Sequence, residues 1–73
     1  MDEANIDEVL LTHLILMRDR LDKAAALGQA AEACGKAGDI PKAIQIALDV
    51  EQLSYEVNTL LNAASLLNRI VRN

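Results

Sequence analysis

Apolar residues recur through the second half of the chain at alternating steps of three and four: Ala43, Ile46, Val50, Leu53, Val57, Leu60, Ala64, Leu67 and Val71. That spacing is an unbroken heptad seam, the pattern of a helix packed lengthwise on another helix. A second stripe, Ile40, Ile44, Ala47, Leu48, Leu61, Leu66 and Ile70, widens the apolar arc beyond what one neighbour covers. The pattern predicts a helix over about 41–72. Arg69 and Arg72 then fall in its last turn, where cations complement the carbonyl end. From Val57 to Asn68 no residue is charged, and the polar positions are Asn58, Thr59, Asn62, Ser65 and Asn68. Such a face is suited to being covered part of the time.

The first half carries a denser signal. Val9-Leu10-Leu11-Thr12-His13-Leu14-Ile15-Leu16-Met17 is apolar on nearly every side of a helix. Leu10, Leu14, Met17, Leu21, Ala24, Gly28, Ala31 and Gly35 follow three–four spacing and are expected to face the second helix. Val9, Leu11, Ile15 and Leu16 are left on flanks that a single partner helix does not cover. The seam changes from bulky to small residues towards Gly35, which predicts helices that sit close near the turn and splay at the open end. Asp2, Glu3, Asp7 and Glu8 crowd the start, against the positive end of the macrodipole. Asn5 with Glu8 has capping-box spacing. The expected helix runs over about 5–35.

Between the two periodic stretches lies Gly35-Lys36-Ala37-Gly38-Asp39-Ile40-Pro41, with two of the three glycines and the only proline. A glycine ends a helix in the left-handed conformation, which fits Gly35 or Gly38 at C′. Asp39 is placed to cap the next helix, and Pro41 is tolerated in a first turn. The fold class is all-α: one domain over 1–73, a long antiparallel helical hairpin with its hinge at 35–41, coiled-coil-like and assembling into a multi-chain bundle. The alternative is a break near Leu53–Asn58 that folds the chain into three helices around a core of its own.

Composition narrows the function. Hydrophobic residues are 52% of 73, yet Tyr55 is the sole aromatic, so the apolar content is aliphatic and suits helix–helix seams. A formal net charge of −4 lacks the basic stripe that nucleic acid requires. No run approaches the ~20 apolar residues of a membrane span. One cysteine excludes an internal disulfide and fits a reducing compartment, and the acidic start is unlike a signal peptide; the expectation is a cytoplasmic protein. His13 and Cys34 stand at no spacing that builds a catalytic dyad or a four-ligand metal site, and no phosphate loop occurs. No catalytic residue, cofactor or metal is expected, and the chain reads as a non-enzyme.

Two resemblances follow from these motifs. Ala33-Cys34-Gly35-Lys36-Ala37-Gly38-Asp39-Ile40-Pro41-Lys42-Ala43-Ile44 resembles the inter-helix turn of a tetratricopeptide repeat, with Ala43 at the small position of the second helix; no repeat recurs. Size, acidic start, Gly38-Asp39 turn and long C-terminal helix together resemble the small helical-hairpin proteins of bacterial type III secretion. The co-chaperones that sequester the needle subunit are similar in length and turn, and Pro41 through Asn73 is similar to the C-terminal helix of the needle subunits themselves. The first implies a cytosolic heteromeric chaperone complex, the second a helical polymer. The expected function is a protein–protein interaction module, a helical adaptor or co-chaperone, binding a protein partner or itself through Val9, Leu11, Ile15, Leu16, Leu61, Leu66 and Ile70. A self-assembling structural subunit and a small regulatory or antitoxin-like protein are the alternatives.

Overall fold

The computed structural model describes residues 3–72, with side chains from 5 to 72. Two helices, α1 (Glu3–Lys36) and α2 (Ile40–Arg72), run antiparallel and pack on each other along their length. Both are continuous. The alanine-rich part of α1 does not interrupt it, and α2 passes through Leu53–Asn58 without a break, so the three-helix alternative is not the fold. Since α1 already includes Glu3, Asn5 lies inside the helix and is not its N-cap.

The turn is built by three residues. Asp39 N–H donates to the Cys34 carbonyl at 3.2 Å and Gly38 N–H donates to the Gly35 carbonyl at 3.0 Å. This pair of bonds is a Schellman motif, which satisfies carbonyls that the end of α1 would otherwise orphan. Gly38 is the C′ residue, with φ of 97°. Asp39 then caps α2, its Oδ1 accepting from Lys42 N–H at 3.1 Å, and Pro41 occupies the second helical position, where its missing donor costs nothing.

Every heptad position of α2 from Ala43 to Val71 is buried or half-buried, as its spacing predicts. The first helix is set differently. Its inward line is Ile6, Leu10, His13, Met17, Arg20, Ala24, Leu27, Ala31 and Cys34. This shares Leu10, Met17, Ala24 and Ala31 with the expected seam but replaces the alternate positions by their immediate predecessors. Leu14 and Leu21 are instead 54% and 52% exposed. The two seams differ by a rotation of about 50° about the helix axis.

Splaying at the open end is also not observed. Ile6, at 2% exposure, is the most buried of the core side chains, and an Arg72–Asp7 ion pair ties the two helices beyond it. Arg20 makes a second cross-helix tie, to Glu56 at 3.7 Å. Exposed pairs of this kind are each worth ~0.2–1 kcal/mol, so the seam and not the charges holds the hairpin.

The Cα extents are 54 × 14 × 12 Å and the radius of gyration is 16.7 Å, against about 11 Å for a compact chain of this length. Among the described residues the buried apolar set is Ile6, Ala43 and Ala64 alone.

The hinge geometry separates its two glycines. A methyl group on Gly35 would meet Ile40 Cδ1 at 3.5 Å and Ala43 Cβ at 3.7 Å, ordinary contact distances, and Gly35 is helical. Gly38 has open space but a left-handed backbone. Gly38→Ala is expected to destabilise by ~1–2 kcal/mol, whereas Gly35→Ala should be neutral or stabilising by up to ~1 kcal/mol. Urea unfolding of both variants at one protein concentration checks this, and equal losses would show that the turn does not rest on Gly38.

Candidate functional site

The antiparallel register follows from contacts between the helices. Asp7 meets Arg72, Arg20 meets Glu56, and Gly35 lies against Ile40 and Ala43. Continuing this register places Val9–Met17 of α1 beside the stretch of α2 around Leu60–Asn68. Those stretches fall in the two longest runs of the chain without a formal charge, Val9–Met17 and Val57–Asn68, at neutral His13. Side by side they form an uncharged collar around the open half of the hairpin, about 13 Å long along α1. Asp7, Glu8, Arg69 and Arg72 bound it on one side and Arg18, Asp19, Arg20 and Glu56 on the other.

Of the seven residues expected to bind a partner, Leu11, Ile15, Leu16, Leu61, Leu66 and Ile70 are exposed, and Val9 is half-buried at the edge of the seam. Ile15 and Ile70 are 60% and 66% exposed, near the upper end for large aliphatic side chains in this protein. Helical geometry sorts these residues onto opposite sides of the hairpin. On one flank, Leu11 and Leu14 of α1 lie beside Leu61 of α2. On the other, Val9 and Leu16 lie beside Leu66 and Ile70. Ile15 points away from α2, between the flanks.

Two shallow grooves follow the same division. One, of about 230 Å³, is lined by Leu10, Leu14, Ala64, Ser65 and Asn68 on the first flank. The other, of about 230 Å³, is lined by Arg20, Tyr55, Glu56, Thr59 and Leu60 on the second. The first is apolar at its floor and carries no charged side chain. The second has an ion pair on its wall.

The expected chemistry-bearing residues have local partners. His13 lies on the seam, with Nδ1 2.8 Å from the Val9 carbonyl, so Nδ1 carries the proton and donates. Half-buried Cys34 donates from its thiol to the Asp39 carbonyl at 3.6 Å, at the turn. The two are separated by about three heptads of α1, roughly 30 Å, and share no contact. Among the described residues no group of three His, Cys, Asp or Glu is placed to hold a metal ion, and no helix is long and apolar enough to cross a membrane.

Leu14, Leu21 and Gly28 are the exposed residues that the sequence pattern misassigns. The available signal was the phase of Ile6 and Leu27, which fall in line with His13 and Arg20 and not with the leucines. No protein-family model matches the chain, and no curated protein or solved structure shows significant similarity to it.

Placing His13 and Cys34 far apart yields a direct test. His13→Gln and Cys34→Ser should leave helicity and association within about twofold of wild type, because glutamine retains a polar group and serine retains the donor. Circular dichroism and sedimentation of both variants check it. Stoichiometric zinc in untagged protein, abolished by either change, would contradict it.

Proposed function

We propose that the hairpin is a non-enzymatic protein–protein interaction module, a helical adaptor or co-chaperone that works in the cytoplasm through its uncharged collar. The single observation that supports this reading is the coincidence, in one register, of the two longest charge-free stretches with six exposed aliphatic side chains. Isolated apolar side chains on a surface need no explanation, but a contiguous patch of them does. Complete burial of one Leu or Ile from water is worth ~1.5–3 kcal/mol. Covering six that are each about half exposed returns about 5–9 kcal/mol, comparable to the cost of docking of ~4–15 kcal/mol.

The similarity in size and turn to type III secretion co-chaperones accords with such a role, and there the partner would be another amphipathic helix. A helix laid on an apolar groove is read by anchors at i, i+3, i+4 and i+7. The collar offers the complementary surface, including Leu11, Leu14 and Ile15 at such a spacing. Absence of charge inside it suits a partner that is itself uncharged on its contact face.

A charge placed inside the collar should weaken association before it disturbs helicity, because the side chains lie outside the seam. Leu11→Asp and Leu61→Asp are each expected to raise the dissociation constant at least tenfold, with the far-ultraviolet circular dichroism unchanged. The reading fails if wild-type protein stays monomeric at about 100 μM and also recovers no stoichiometric partner from its native host that Leu61→Asp loses.

A further inference from the structure

The exposed leucines of α1 point to a specific occupant. The hairpin turns His13 and Arg20 into its own seam and leaves Leu14 and Leu21 outside, although a rotation of about 50° would bury the leucines instead. Leu11, Leu14 and Leu21 therefore form a second seam on α1, on the flank shared with Ile40, Ile44 and Leu61 of α2. Large and small residues are distributed diagonally across this flank. On α1 the bulk lies at the open end, and Ala25, Gly28 and Gly35 lie near the hinge. On α2 the bulk lies near the hinge, and Asn58, Ser65 and Asn68 lie at the open end, around Leu61.

We infer that this flank is a homodimer interface, in which a second copy packs face to face with both hinges at the same end, forming a four-helix bundle. The inference rests on the interaction-module reading above and names its partner. A two-fold axis parallel to the helices lays α1 of one copy on α2 of the other at equal height. Leu11 and Leu14 then enter the groove lined by Leu10, Leu14, Ala64, Ser65 and Asn68 of the facing copy, and Ile40 and Ile44 cover its glycine-lined surface. Size agrees with this. The chain exposes 5379 Å² against about 4400 Å² for a compact monomer of its mass, an excess of about 1000 Å². A standard stable interface buries about 800 Å² per partner.

Charge selects the arrangement. With the hinges together, Asp7 of each copy approaches Arg72 of the other, and the nearest charge facing Arg18 is Glu51, about two turns along. With the hinges at opposite ends, Arg18 would meet its own copy and Glu32 would meet Asp7. The opposite flank carries as many charges, and its large aliphatic side chains are Val9, Leu16, Leu66 and Ile70 alone, so it is less apolar.

Sedimentation equilibrium and spin-label distances on the full chain test the inference. Wild type should be a dimer at micromolar concentration. Leu14→Glu should shift it at least tenfold towards monomer with helicity kept, while Thr12→Arg on the other flank leaves the dimer in place. With Cys34→Ser and Ala37→Cys, a nitroxide pair at the hinges should lie within about 30 Å, close to the width of two bundled helix pairs. A monomer, an open-ended polymer, a dimer insensitive to Leu14→Glu, or a separation near the 54 Å length of the hairpin would each overturn it. A monomer that still binds a different protein through Leu61 would overturn the homodimer and leave the interaction-module reading standing.

Discussion

A hairpin of two helices has one internal seam, and everything else about this protein follows from that limit. Each helix of more than thirty residues turns roughly a third of its circumference to its neighbour, and the rest stays in water. Apart from Ile6, Ala43 and Ala64, the seam residues are only half-covered, because no third element closes over them. A chain of this size gains little from its own core in the best case. Here the core is thinner than usual and the apolar content is not, so the surplus appears as exposed Leu and Ile.

The turn determines how that surplus is arranged. A Schellman end on α1 followed at once by an Asp39 cap on α2 leaves no slack, since Gly38 and Asp39 satisfy the backbone groups of both helix ends within three residues. A short hinge fixes the antiparallel register, and the register brings the longest charge-free part of each helix to the same height. The collar is thus a consequence of turn length together with sequence position, not of any local motif in either helix.

How much of this was legible from the sequence differs between the helices for a physical reason. In α2 one three–four line is apolar throughout and its competitor is broken by Ser54 and Asn68, so the phase is determined and each position from Ala43 to Val71 sits where the spacing puts it. In α1 two lines share Leu10, Met17, Ala24 and Ala31, and hydrophobicity favours the wrong one because Leu14 and Leu21 outweigh His13 and Arg20. A helix that is apolar all round has no strong moment to set its rotation. The splay expected from residue size failed for a related reason. Ile6 fills the open end, and the Asp7–Arg72 pair closes it, neither of which a size gradient from Leu10 to Gly35 contains. The exposure of the surface candidates was legible because it depends on surplus, which survives an error of phase: of the seven, only Val9 is half-buried.

Polar residues in the α1 seam have a consequence for register. His13 satisfies its Nδ1 within its own helix through the Val9 carbonyl, so it occupies the seam without demanding anything of α2. Arg20 does make a demand, and Glu56 meets it. Sliding α1 by one heptad in one direction would set Arg20 against Ala63, where no acceptor side chain stands. Sliding it the other way would bring Asp49 within reach but would carry Asp7 from Arg72 to Ser65. Aliphatic heptads alone would accept either slip, since a seam of Leu and Val is nearly degenerate under a shift of seven. The two cross-helix ion pairs, weak as each is in stability, remove that degeneracy together with the tight turn. Register is therefore held by the tight turn and by ion pairs on and beside the seam, while the leucines that a self-sufficient hairpin would have placed there are left exposed outside it.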